Sequence, residues 1–180
     1  KTNNFDDLSD SSNFLLINNS IALSDLPENS VDSIITDPPY GSNVQYLELS
    51  HFWYVWNKDL YESQPDFTLE AISNRKKGFK GAKSMYTYED NLYNVFSKCH
   101  QVLKPNKHMI LTFNNKDISA WLSLLFSIFR SGFTLAENGI YFQDGVDNYK
   151  QTAHTRFDGS PYGDFIYVFK KSTTEDLRQY

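Results

Sequence analysis

Asp37, Pro38, Pro39 and Tyr40 form a short run whose residue types and order suit a demanding chemistry. The exocyclic amine of a nucleic-acid base is a poor nucleophile, because its lone pair is delocalised into the ring. A carboxylate and a backbone carbonyl that accept its two N–H bonds would draw the nitrogen toward tetrahedral geometry. They would also stabilise the positive charge that develops as the amine attacks. Asp37 and the carbonyl of Pro38 are candidates for those two acceptors. Consecutive prolines fix φ near −65° and remove two N–H groups, so the loop presents carbonyls in a preorganised arrangement. Tyr40 offers a flat face for a base rotated out of its stack, and such stacking is worth roughly 1–3 kcal/mol. Gly41 would let the backbone pass close to that ring. The competing reading is a plain turn. A given tetrapeptide arises by chance in about one chain of this length per thousand. This one directly follows an apolar run, where an active-site loop belongs.

The elements that must position the loop can be read on either side of it. Residues 31–36, with Ile34 and Ile35 at their centre, predict a buried strand that stops at Asp37-Pro38-Pro39, since proline lacks the N–H that a ladder needs. An earlier apolar run at 14–17 predicts a second buried strand, with turn chemistry at Pro27, Glu28 and Asn29 between the two. After the loop, Tyr46, Leu49, Trp53 and Trp56, with Phe52 alongside, fall at helical spacing. Residues 57–84 lose periodicity, contain Pro65, Gly78 and Gly81, and read as an insertion or mobile loop.

Thr87, three residues before Asp90, is a weak capping-box signal for a helix. Its face is Leu92, Val95, Phe96, Cys99, Val102 and Leu103, and Lys104-Pro105-Asn106 ends it. Residues 108–113 predict a strand. A helix follows from about 116 to 130, with Asn115 as N-cap, Gly132 as stop, and Ile118, Trp121, Leu122, Leu125, Ile128 and Phe129 as its buried face. Residues 133–143 and 164–170 predict a terminal antiparallel pair, because no helix separates them. The sum is an α/β sheet, mostly parallel with an antiparallel terminal strand pair. In such sheets ligands bind outside the carboxyl ends of the strands, which is where Asp37 falls.

The 180 residues fit one domain, and 14 Phe, 12 Tyr and 3 Trp supply ample core area. The division expected is a polar leader at 1–13, a catalytic region at 14–171 with a basic insertion at about 57–84, and a polar tail at 172–180. The chain begins at Lys1, which suggests an excerpt of a longer protein. With Cys99 as the single cysteine, no internal disulfide can form, and no Cys/His spacing suggests a metal. The chain reads as intracellular and cytoplasmic, with no signal peptide and no membrane span. A net charge of −5 argues against gripping nucleic acid over the whole surface, so contact must be local. Arg75, Lys76, Lys77, Lys80 and Lys83 form the candidate basic patch for phosphate.

The stretch from 31 to 41, Val-Asp-Ser-Ile-Ile-Thr-Asp-Pro-Pro-Tyr-Gly, resembles motif IV of the S-adenosylmethionine-dependent amino-methyltransferases, the N6-adenine and N4-cytosine DNA enzymes. The continuation at 43–50 and 52–56 is similar to prokaryotic adenine-specific DNA methylases. The resemblance implies a Rossmann-like class I methyltransferase sheet, of which these would be the third to seventh strands. It also implies that Asp37 and Pro38 hold the target amine, Tyr40 stacks the base, and Asn19 and Asp37 face the cofactor. Asn19 stands where the family often has Asp. The implied reaction is methyl transfer from S-adenosylmethionine to adenine N6 in DNA, by direct attack on a flipped-out base. An RNA base methyltransferase and a non-catalytic, nucleic-acid-binding subunit are the alternatives.

A Phe-x-Gly-x-Gly loop for the cofactor is not found in the chain. Phe79-Lys80-Gly81 and Phe157-Asp158-Gly159 each match only half of it. The expectation is therefore an incomplete, catalytic half that is inactive alone, with the cofactor half elsewhere in the protein or in a partner subunit. His51, His100, His108 and His154 share no metal spacing and read as structural or exposed. Tyr149, His154, Arg156 and Tyr162 could meet nucleic acid in the long terminal loop.

Overall fold

The computed structural model describes Phe5, Leu8 and residues 20–60, 64–74, 78, 81–145 and 163–172. Among these, four strands form one open mixed sheet in the order β1 (Val31–Thr36), β2 (Leu103–Phe113), β4 (Gly163–Lys171), β3 (Phe133–Asp144). β1 and β2 run parallel, while β4 is antiparallel to both β2 and β3. The terminal pair is thus antiparallel as expected, and its last strand lies inside the sheet rather than at the rim. The earlier apolar run at 14–17 lies outside the described residues.

β2 alternates cleanly: Met109, Leu111 and Phe113 are fully buried, and Ile110 and Thr112 face the other side. Against the buried face pack α2 (Met85–Val102), through Tyr88, Leu92, Phe96 and Cys99, and α3 (Ile118–Arg130), through Ala120, Leu124 and Ile128. Each large apolar side chain so buried contributes about 1.5–3 kcal/mol. β1, expected to be buried, shows the pattern of an edge: Ile35 is 81% exposed, and no described residue covers it.

Several boundaries differ from the sequence expectation, each for a local reason. α2 starts at Met85, because Ser84 and not Thr87 is the cap. The Ser84 hydroxyl accepts from the Thr87 amide at 3.1 Å, and the Thr87 hydroxyl accepts from the Ser84 amide at 3.4 Å, so Thr87 is the return arm of the box. Lys104-Pro105-Asn106 does stop α2, but it does so as a bulge inside β2. Asn106 takes a positive φ of 60°, and Lys104 and Lys107 reach Asp32 at 2.7 and 3.5 Å.

α3 is capped by Asp117, whose carboxylate accepts from the Ser119 amide at 2.9 Å, and not by Asn115. It ends, as expected, at Gly132, whose φ is +92°. Its buried face is Ala120, Ser123, Leu124, Ser127 and Ile128, while Ile118, Leu122 and Phe129 lie outside. Of the expected face, Ile128 is buried and Trp121 and Leu125 pack against the core, while the other three differ because the helix is apolar almost all round. Small residues then decide which side comes close to α2, and Ser127 satisfies its own hydroxyl on the Leu124 carbonyl at 2.7 Å.

α1 (Tyr46–Asn57) forms where the spacing predicts a helix, yet it has no buried residue. The segment after it is not simply a loop. Ala71, Ile72 and Ser73 are buried, and Glu70 accepts from the Leu47 amide at 2.8 Å, tying the segment to the start of α1.

Candidate functional site

The site forms where β1 ends. Thr36 pairs with Leu111 of β2, so the next residue, Asp37, leaves the sheet beside Thr112. The Thr112 hydroxyl donates to Oδ1 of Asp37 at 3.0 Å. Asp37 is exposed, while Pro38, Tyr40 and Gly41 are buried, so the loop turns one carboxylate outward from an otherwise inward segment.

The loop backbone is held from several elements. The Tyr88 hydroxyl of α2 donates to the Pro39 carbonyl at 2.6 Å, and the Gly41 amide reaches the same oxygen at 3.1 Å. The Tyr40 carbonyl accepts from Nδ2 of Asn115 and from the Asn43 amide, both at 3.1 Å. The Gly41 carbonyl accepts from the Ser73 amide at 3.2 Å. Gly41 has a φ of +59°, and a Cβ there would stand 3.2 Å from the Cβ of Ala120, so both backbone shape and space call for glycine. The Pro38 carbonyl accepts no hydrogen bond among the described residues. The Pro39, Tyr40 and Gly41 carbonyls are thus all taken, while the Pro38 carbonyl, next to the exposed Asp37 carboxylate, stays an open acceptor.

Tyr40 is placed differently from the expectation of an open stacking face. It is 7% exposed, and its ring meets Phe113 edge-on at 5.0 Å between centroids. Burial first, then a hydrogen bond with Asp37, push its phenol well above the usual tyrosine range. Tyr46, the first residue of α1, also has its phenol raised, chiefly by burial and in part by Asp37.

Of the candidate basic patch, Arg75, Lys76, Lys77 and Lys80 lie outside the described residues, as does Asn19. Lys83 is described and is engaged internally: its ammonium donates to the Glu70 carbonyl at 2.6 Å and lies 3.9 Å from the Glu70 carboxylate, both side chains nearly buried. Burial holds its pKa below the ordinary lysine value. Lys83 therefore fastens the 64–74 segment, which corrects its reading as a phosphate contact.

His51 stacks on Tyr54, His100 packs edge-on against Phe133, and His108 is exposed. Among the described residues, no group of three His, Cys, Asp or Glu is placed to hold a metal ion. Cys99 is a core thiol that burial pushes up to about 12. Tyr149, His154, Arg156 and Tyr162 lie outside the described residues. No described helix is long and apolar enough to cross a membrane.

Thr112, Tyr88, Asn115 and Ser73 are the site residues that pattern reading missed. One signal was present. Asn114-Asn115 directly follows a strand that ends at the same side of the sheet as Asp37, and such positions line ligand crevices in open α/β sheets.

A sequence model of a family described as DNA methylase matches residues 31–179. No curated protein matches the chain significantly. Among solved structures the chain is similar to the PvuII DNA methyltransferase (cytosine-N4-specific), at 15% identity and a TM-score of 0.49, over 82% of this chain and 45% of that one. It is also similar to TTHA0409 of Thermus thermophilus, named as a candidate DNA modification methylase and solved with S-adenosyl-L-methionine. There the identity is 12% and the TM-score 0.44, over 88% of this chain and 54% of that one. The chain thus spans about half the length of each.

Proposed function

This chain belongs to the DNA methylase family, and on that premise we propose that it carries the base-handling half of an enzyme that methylates an exocyclic amine in DNA, with adenine N6 as the leading target. The observation that carries the reading is the pairing at the end of β1. An exposed Asp37 carboxylate stands beside the Pro38 carbonyl, which has no donor among the described residues. Asp37 accepts one N–H of the amine and Pro38 the other. The two acceptors withdraw the lone pair from ring conjugation and stabilise the charge that develops at nitrogen. No covalent enzyme intermediate is needed.

The preference for adenine rests on the likeness of residues 43–56 to adenine-specific methylases. N4 of cytosine presents the same two N–H bonds and is the nearest alternative within DNA. A flipped-out base stacking on Tyr40 would first require that ring to leave Phe113, so stacking is a secondary role for it in this reading. A cytoplasmic location belongs to the same proposal.

S-adenosylmethionine supplies an electrophilic methyl group when bound. The described residues do not build a cradle for it. Gly41 follows β1 and Gly145 follows β3, each singly, while Gly132 and Gly163 stand at strand starts and Gly139 lies within β3, so no described glycine opens a glycine-rich loop after a strand. We place its binding in the rest of the methyltransferase domain or in a partner subunit.

The test is methyl transfer by the full-length protein to duplex DNA and to single-stranded RNA, with the methylated nucleosides separated by mass. N6-methyladenine from DNA is the expected product. Asp37→Ala is expected to lower kcat by at least about 10²–10³-fold. Undiminished transfer by that variant would sink the mechanism. Unchanged DNA affinity with no transfer by the wild type, cofactor bound, would favour the non-catalytic subunit instead.

A further inference from the structure

A carboxylate that must meet an amine at a defined angle cannot be left to rotate in water, and Asp37 is exposed. What restrains it is visible on β2. We propose that Thr112 is a positioning residue: its hydroxyl holds Oδ1 of Asp37 so that the second oxygen faces the incoming amine. This rests on the reading above that Asp37 is an amine acceptor.

The geometry is favourable in three respects. The 3.0 Å bond occupies one carboxylate oxygen with a donor. Thr112 stands on β2, the strand flanked by β1 and β4, opposite Ile166 of β4 and one residue beyond the Leu111–Thr36 pair, so its backbone is held in the sheet. Its chain neighbours Leu111 and Phe113 are fully buried on the opposite face of β2, which anchors the strand that carries it.

Strand formation itself does not ask for the hydroxyl. Valine has the same branched shape and an equal preference for strands, as Val168 next to Ile110 illustrates on the same sheet. The hydroxyl therefore answers to the polar groups of the loop: the Asp37 carboxylate at 3.0 Å, and the Tyr40 phenol, which it also meets. Tyr40, whose buried phenol also bonds Asp37, adds a second restraint from the loop's own side. A hydrogen bond to an ionised group is stronger than one between neutral groups, so two such donors can hold one rotamer against solvent.

The experiment uses the full-length protein with Thr112→Val, Thr112→Ser and Asp37→Ala, read as kcat and KM for DNA. Thr112→Val is expected to lower kcat about ten- to a hundredfold while KM changes less than about twofold. Thr112→Ser is expected to recover most of the loss, because it restores the donor. Added to Asp37→Ala, Thr112→Val should cost nothing further, since residues acting as a unit are not additive. Were Thr112→Val to fold poorly, Thr112→Ala would serve in its place, by the same split of kcat against KM. Wild-type kcat in the Val or Ala variant, with Asp37→Ala inactive, would overturn this inference and leave the acceptor reading standing. An active Asp37→Ala would instead remove the reading on which it rests.

Discussion

The loop at 37–41 and the helix α1 at 46–57 are near neighbours in sequence, yet they are built on opposite principles. The loop is tied down from α2, β2, Asn115 and the 64–74 segment, so the Pro39, Tyr40 and Gly41 carbonyls and one Asp37 carboxylate oxygen all have partners inside the protein. α1 carries Leu49, Phe52, Trp53 and Trp56 at 59–74% exposure and buries none of its residues. An apolar stripe on a helix normally marks a face turned to the core. Burial therefore does not follow from apolar spacing alone: the small, polar, proline-rich segment is the packed one here.

Given this contrast, substitutions beneath the loop should cost far more than larger ones on α1. The largest effect is expected at Phe113, which is fully buried between Tyr40 and Trp121. Phe113→Ala should lower unfolding stability by about 3–5 kcal/mol in denaturant titration. Next comes Tyr88→Phe, which keeps the ring in the core and removes only the donor to the Pro39 carbonyl. A loss of about 1–3 kcal/mol, with faster hydrogen exchange at the Gly41 amide, is the expected signature. Smallest, in the 180-residue chain, are Trp53→Ala and Trp56→Ala, each expected to change stability by less than about 0.5 kcal/mol. A cost of several kcal/mol at either tryptophan would show that α1 is packed after all, and the comparison would fall.

Much of the fold was legible because periodicity reports burial directly when one face is polar. β2, with alternate residues inside, and α2, with Leu92, Phe96 and Cys99 on one side, were readable for that reason. α3 was not, because Ile118, Leu122 and Phe129 are as apolar as the residues that turned inward. Only the close approach of α2, allowed by Ala120, Ser123 and Ser127, selects its face. The start of α2 was misread by a few residues because Ser84 and Thr87 are both capable caps, and only the reciprocal bond says which is first. Lys83 looked like part of a basic patch until Glu70, distant in sequence, closed on it.

The candidate site divides in the same way. The order Asp37-Pro38-Pro39-Tyr40 was enough to place a carboxylate and donor-free carbonyls at the end of a strand, because proline chemistry is local. Which carbonyl stays open, that Tyr40 turns inward onto Phe113, and that Thr112 grips Asp37 all depend on how the chain packs in three dimensions. The partners come from β2, α2 and residue 115, far along the chain from the loop. Their meeting rests on strand register and helix packing, which no short stretch of sequence encodes.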